Sequence, residues 1–362
     1  MHCPSLAALP PPPPGKTGWP WTEEGPAPAA REGDAWPAIS IVTPSYNQGR
    51  YLEQTIRSVL LQGYPALEYI VVDGGSTDDS VAILRKYAPW ITYWASEPDG
   101  GQTDAINKGF ARCTGEVFNW LNSDDYYEPG ALLAVGRQFA DPRVEVVCGR
   151  ERVFEDVNPS EGQLHPGSTV RERLEETLFT AHIDQPVTFF RRSAIAGHLP
   201  LSVSLKYLMD VQLWLSYLLA AGQDHIARVP DVLVNFRLHG QSKTVAQAAH
   251  FAQERAALLG SLGQRIGVPD YILALLPRGP GLGPAGEISG RVDAGRLVAL
   301  YARKYAGTFY NRGQYHHCRR CIYLAVKHEP RRLREKGFFR LALLSLLPAP
   351  VLNRVRRAPA RP

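Results

Sequence analysis

Cysteine is scarce and scattered. Cys3, Cys113, Cys148, Cys318 and Cys321 are the only five in 362 residues, too few and too spread for a disulfide framework. A cytoplasmic, reducing setting is expected. Cys318 and Cys321 form one C-x-x-C after His316 and His317. Zinc would need a second ligand pair, and the same spacing also puts both thiols on one helix face. No uninterrupted apolar run reaches the roughly 18 residues that span a bilayer. The N-terminus lacks the basic start and apolar core of a signal peptide. Net charge is small: +5 suits an anionic ligand or a membrane surface and does not call for nucleic acid as a partner. No G-x-G-x-x-G and no P-loop follows the first strand, so a nucleotide would have to be held by side chains and a metal.

What remains is the composition of a globular protein, 44% hydrophobic and 21% charged, with enough chain for a sizeable core. Residues 1–37 are predicted to be a disordered tail, rich in Pro, Gly and Ala and carrying the run Pro10 to Pro14, with polyproline conformation and no packed core. Order begins at a strand from Ala38 to Thr43. Helical periodicity follows over Tyr51 to Leu61, then strands at Leu67 to Val72 and Ile91 to Ala95 with a helix between them, and a helix over Thr103 to Ala111. The next strand, from Val117, runs straight into Asn122-Ser123-Asp124-Asp125, and Val144 to Cys148 reads as a further strand. Strands alternating with helices predict an α/β fold, a doubly wound and mostly parallel sheet. Ligands bind such sheets outside the carboxyl ends of the strands. Carboxylates placed there can hold a hard divalent cation against phosphates; the alternative is that Asp124 and Asp125 cap the next helix.

Several motifs then occur in a fixed order. They are Thr43-Pro44-Ser45-Tyr46-Asn47, Val72-Asp73-Gly74-Gly75-Ser76-Thr77-Asp78, Asp104-Ala105-Ile106-Asn107-Lys108-Gly109 and Leu121-Asn122-Ser123-Asp124-Asp125. Later come Gln185-Pro186 through Arg191-Arg192, Met209-Asp210-Val211-Gln212-Leu213-Trp214 and Phe236-Arg237-Leu238-His239. Through these the chain, from Ile39 to about Thr244, resembles a family 2 glycosyltransferase of the GT-A fold. The resemblance implies inverting transfer of a sugar from a nucleotide-diphosphate donor, a UDP-sugar by default, assisted by Mn2+ or Mg2+. By position it implies a donor site from Pro44, Ser45, Tyr46, Asn47, Asp73, Asp104, Asn107, Asn122 and Ser123. Tyr46 would flank the base, Asp73 would bind the nucleoside and Asn122, standing at the first position of the family's Asp-x-Asp signature, would serve the ribose. Asp124 and His239 would hold the metal, and Asp210 would be the catalytic base. The alternatives for the last two are a capped surface histidine and a helix-capping aspartate. This chain has Asp73-Gly74 where many relatives have two adjacent aspartates, so the base of the donor is left open.

The GT-A-like domain is expected over residues 38–245, with a helical C-terminal extension over 246–362. Arg191 and Arg192 are read either as a phosphate contact or as a solvated strand end. The acceptor, a saccharide or lipid-linked species, would meet the poorly patterned region from Glu151 to Ala181. Basic residues flank the apolar stretch beginning at Phe338, which suits either a peripheral membrane contact through 338–352 or packing against the rest of the protein. Two other functions fit a similar sheet. A nucleotidyltransferase would need a basic, Gly-rich loop after the first strand, and Pro44 to Gly49 contains no Lys or Arg. A non-catalytic nucleotide-sugar binding protein would have no use for Asp124, Asp210 and His239 together.

Overall fold

The computed structural model describes residues 3–26, 36–156, 161–240, 242–243, 247–283, 288–347 and 351. In chain order the first elements are β1 (Ile39–Ser45), α1 (Gly49–Leu60), β2 (Leu67–Asp73), α2 (Ser80–Tyr87), β3 (Tyr93–Ser96), α3 (Gln102–Phe110), β4 (Val117–Trp120) and β5 (Tyr126–Tyr127). They are followed by α4 (Ala131–Phe139), β6 (Val146–Glu155), β7 (Gln163–His165), α5 (Leu174–Thr180), β8 (Thr188–Arg191), α6 (Arg192–Ile195), α7 (Met209–Ala221) and β9 (Ile226–Leu238).

Among the described residues the strands form one mixed nine-stranded sheet, in the order β3-β2-β1-β4-β8-β6-β9-β5 with β7 paired to β6. Every residue of β1 and β4 is buried, as expected of strands covered on both faces,. Ile39, Ile41, Val42, Val71, Val117 and Phe118 expose nothing, and burying each side chain of this size stabilises the fold by about 1.5–3 kcal/mol. Helix α3 lies directly on β1: a Cβ on Gly109 would come within 2.4 Å of Val42 Cγ1. β1 pairs in parallel with β2 on one side and β4 on the other. The order of the chain reverses there, and the carboxyl ends of strands at such a point are where open α/β sheets hold their ligands.

The second half of the sheet is largely antiparallel. β8 runs antiparallel between β4 and β6, while β9 runs parallel to β6 and antiparallel to β5. β5 directly follows Asp124 and Asp125, so its pairing Tyr126↔Asn235 brings the end of β9 to the same edge. The last strand is longer than the expected Val232 to Leu238. Its first half contains Pro230, and the register with β6 shifts between Cys148 and Glu151 to accommodate it,.

The chain divides into two compact units, Met1–Val170 with His182–Ala252, and Arg171–Ala181 with Gln253–Pro362. The second unit is helical. Its helices Ala294–Asn311 and Tyr315–His328 form a hairpin, and Lys336–Ser345 follows. Segment 171–181 is clipped into it by Arg173 to Glu329 at 2.8 Å and by the Asp293 N–H to Glu175 at 2.8 Å. Cys318 and Cys321 share one helix face and are fully buried, and burial pushes their thiols up to about 11 and about 12.

Residues 3–26 do not form the expected tail without packing; they lie on the first unit. Arg57 of α1 is fully buried. Its guanidinium donates to the carbonyls of Pro10 (2.8 Å), Pro20 (3.0 Å) and Trp21 (2.9 Å) and to the Tyr87 hydroxyl (2.9 Å). Trp19 Nε1 donates to the Tyr127 carbonyl at 2.7 Å, and Leu9 and Trp21 are buried. The arm's own turns use the carbonyls of Ser5, Leu6, Pro13 and Gly18, which leaves those of Pro10, Pro20 and Trp21 to the buried cation. Residues 27–35 lie outside the described residues.

Deleting residues 1–26 would strip three acceptors from that guanidinium and lose the buried side chains of Leu9 and Trp21. Burying a large apolar side chain is worth about 1.5–3 kcal/mol, so the deletion should lower stability by several kcal/mol in denaturant unfolding. An unchanged midpoint would contradict this packing.

Candidate active site

Three loops leave the carboxyl ends of β1, β2 and β4 side by side. The first is tied to the second by side chains. Asn47 adopts a left-handed conformation, φ 52°, which Asn tolerates better than most residues. Its N–H donates to Ser76 Oγ at 2.7 Å, and its Oδ1 accepts from the Thr77 N–H at 2.9 Å. Asp73 is fully buried and serves the same loop: its carboxylate accepts from the Gly75 and Ser76 N–H groups and from the Ser76 and Ser96 hydroxyls. Pro44 is buried at the end of β1. Ser45 beside it is also buried, and its hydroxyl has no hydrogen-bond partner. Tyr46 then turns outward and is 62% exposed, leaving a ring face open for stacking.

The loop after β4 is the most heavily anchored part of the site. Asp124 Oδ2 lies 3.0 Å from His239 Nε2, with the His239 side chain 5% and the Asp124 side chain 21% exposed. Arg237, nearly buried, holds the two together. Its Nε donates to the Asp124 carbonyl (3.0 Å), its Nη1 to Asp156 (3.1 Å) and its Nη2 to Gln54 (2.9 Å). Its backbone N–H donates to Asp125 Oδ1 at 2.9 Å. The guanidinium also lies 4.8 Å from the ring centres of Tyr51 and Phe154. From α1, the Thr55 hydroxyl is shared between the Ser123 (3.0 Å) and Asp125 (2.6 Å) carbonyls, and the Tyr51 ring packs on His239. Burial and the neighbouring Asp124 charge push the Asp125 carboxyl well above the usual carboxylate range. Asp125 is therefore an anchor, and Asp124 is the carboxylate that faces outward.

On the far side, Asn122 Oδ1 accepts from Gln102 Nε2 at 2.7 Å. Gln102 in turn accepts from the exposed Lys243 at 2.7 Å, and Lys206 donates to the Gly100 carbonyl at 3.1 Å. Asp104 accepts from the Gly100 N–H and pairs with Lys108, and the Gly100 bond heads the interactions that hold its carboxyl below the usual range. Asn107 is turned away from these loops: its amide makes both a donor and an acceptor bond with the Leu201 backbone. With Thr103, which donates to the Leu205 carbonyl, it fixes the segment leading into α7. Asp210 lies in the first turn of α7, where its Oδ1 accepts from the Val211 N–H at 2.8 Å. Arg191 and Arg192 are neither phosphate contacts nor a solvated strand end. They donate to backbone carbonyls of Val144, Phe139, Asp141 and Gly115, with Arg191 opposite Val117 at the amino end of β4.

Among the described residues no group of three or more His, Cys, Asp and Glu gathers with metal-holding geometry. Asp124 and His239 are an adjacent carboxylate–imidazole pair where the loop after β4 meets the end of β9. That donor set fits a divalent cation taking its other oxygens from a bound diphosphate, the usual arrangement for cations that bind through one or two protein ligands plus substrate phosphates.

Comparison with known proteins bears on the family and the fold. Residues 40–199 match the family model described as Glycosyl transferase family 2. An uncharacterized glycosyltransferase of Rickettsia typhi is 29% identical over 250 residues, 66% of this chain and 75% of that protein. One from Mycobacterium tuberculosis is 39% identical over 120 residues, 33% of this chain and 43% of that protein, so the match spans less than half of the latter's length. Among solved structures, S. aureus TarS 1–349 in complex with UDP-GlcNAc gives a TM-score of 0.55 at 16% identity, covering 88% of each chain. That likeness shows the fold, a GT-A-like α/β sheet with a helical C-terminal region.

Sequence reasoning passed over Arg237, Thr55 and Gln54 as site residues, and it read Asp125 together with Asp124 as a cation-holding or helix-capping pair, whereas Asp125 is a buried anchor. A signal for Arg237 was present: an arginine inside the mostly apolar strand Val232 to Leu238. It also passed over a second buried carboxylate, Glu151 of β6, whose Oε2 has no hydrogen-bond partner. Burial, and then the nearby Asp184 charge, push Glu151 up to about 8. The folded protein therefore keeps a proton that the unfolded chain releases near the ordinary value of 4.5. Stability from this group is full below that value and declines as pH rises to about 8,. Glu151→Gln should raise the melting temperature more at pH 8 than at pH 5. Equal increments at both pH values would contradict the assignment.

Proposed function

We propose that the protein is an inverting glycosyltransferase that moves a sugar from a nucleoside-diphosphate donor to an acceptor hydroxyl. The observation that carries this reading is the Asp124–His239 pair at the edge where β1, β2 and β4 end. The family match over residues 40–199 supports it. The donor base would stack on Tyr46, with the orphaned Ser45 hydroxyl below it and the loop that Asp73 rigidifies beside it. Asn122 and Ser123 would carry the ribose and Asp124 and His239 the diphosphate end. In this reading Asn107 acts indirectly, through the segment it tethers, and Asp104 orders the Gly100 turn. A UDP-sugar is the default donor. Mn2+ or Mg2+ bound at Asp124 and His239 would stabilise the charge that gathers on the departing diphosphate.

The acceptor hydroxyl must lose a proton as it attacks the anomeric carbon. Asp210 is the proposed acceptor of that proton, at the start of a helix reached through a segment pinned on α3. A single displacement inverts the anomeric centre and needs no covalent intermediate. A saccharide or lipid-linked acceptor, used in polysaccharide or glycoconjugate synthesis, is part of the same proposal. So is peripheral membrane contact through 338–352, where Phe339, Leu343 and Leu346 are exposed. Within that stretch, residues 348–350 and 352 lie outside the described residues. Among the described residues no helix is long and apolar enough to cross a membrane.

Asp210→Asn tests the assignment, because asparagine keeps the shape and the hydrogen bond to Val211 while losing basicity. Donor affinity and melting temperature should stay near wild type while transfer falls by roughly 10²–10⁴-fold, the usual contribution of a positioned base. Turnover within a few-fold of wild type would place the base elsewhere.

A further inference from the structure

The helical unit has a cavity of its own, about 550 Å³, within the range of small-molecule sites. One wall is a single stripe of the helix Ala294–Asn311, formed by Leu300, Arg303, Lys304 and Gly307 at spacings of three and four,. Phe338 and Leu341 of the helix Lys336–Ser345 and Phe179 of α5 line the rest of its apolar surface. The charges on the wall are not balanced. Arg303 is paired with Glu335. Lys304 lies instead over aromatic rings, 5.2 Å from the centre of Phe179 and 5.7 Å from that of Tyr305. Burial and the neighbouring Arg255, a second cation, hold its ammonium below the usual lysine range. Lys336 and Arg340 are exposed on the helix that forms the other wall. The cavity also keeps room for a tail: a Cβ at Gly307 would meet nothing within 4 Å. A glycine inside a helix costs about 1 kcal/mol relative to alanine, so the gap is retained against helix propensity.

We propose that this cavity binds a phosphate-headed lipid, with the head group on Lys304 and the first methylenes of the tail against Phe179, Leu300, Phe338 and Leu341. An ammonium is a compact point charge suited to phosphate, and the aromatic and aliphatic wall beside it suits a chain. This site stands independently of the proposed sugar transfer.

Calorimetric titration of the full chain with dodecyl phosphate, kept below its micelle concentration, tests it. Saturable binding is expected, with inorganic phosphate and dodecyl maltoside each at least tenfold weaker. Lys304→Ala should weaken dodecyl phosphate at least tenfold. So should Gly307→Phe, which fills the open space, while Gly307→Ala stays within twofold. Melting temperatures check that each variant folds. If Gly307→Phe does not fold, Lys304→Ala decides alone. Absence of saturable binding would overturn the proposal, as would wild-type affinity in Lys304→Ala or equal binding of inorganic phosphate or of the maltoside.

Discussion

The candidate site depends on one buried charge. The Arg237 guanidinium is nearly removed from water, and a charge so placed is stable only with partners on its donors. Those partners come from positions 54, 124 and 156, far apart in sequence. Satisfying one cation therefore fixes the helix after β1, the loop after β4 and the end of β6 in a single arrangement. Its backbone adds the bond to Asp125. That carboxyl is buried and spent on the Arg237 backbone, which leaves Asp124 as the carboxylate turned toward His239. Removing one partner of a buried pair typically costs about 3–5 kcal/mol. The arrangement is thus rigid before any ligand arrives, which is what a site for developing charge requires.

Helix α1 extends this constraint. Its Tyr51, Gln54 and Thr55 face the loop and strand end that carry Asp124 and His239, while Arg57, on the next part of the same helix, is buried under the carbonyls of residues 10, 20 and 21. The helix is held through hydrogen bonds to the site and to the N-terminal arm alike. The parallel pairing of β1 with β2 and β4 then sets the height at which all three loops emerge.

Much of this was legible in the sequence, for identifiable reasons. Parallel strands buried on both faces read as apolar runs, so β1, β2 and β4 and the loops at their ends could be found from pattern alone. β5 and β7, with two and three residues, are too short to carry a period. The first half of β9 was hidden by Pro230, which a bulge accommodates. The N-terminal arm was misread because low periodicity and high proline say that a segment makes no ladder of its own. They do not say that its carbonyls go unused by a neighbour. Asn107 has a similar lesson: it stands in a recurring motif, yet its amide is occupied by the backbone of Leu201. Such pairings depend on contacts between residues about a hundred positions apart, which a single sequence does not display.

The account's central claim is that the loops after β1, β2 and β4 form one nucleoside-diphosphate site whose phosphate end is built on Asp124 and His239. Calorimetric titration of the full chain with a UDP-sugar, in Mn2+ and again in excess chelator, tests it most directly. The account predicts saturable one-site binding in Mn2+ that weakens at least tenfold when the ion is removed. Equal affinity in both conditions, or no binding of any nucleotide sugar in either, would contradict it.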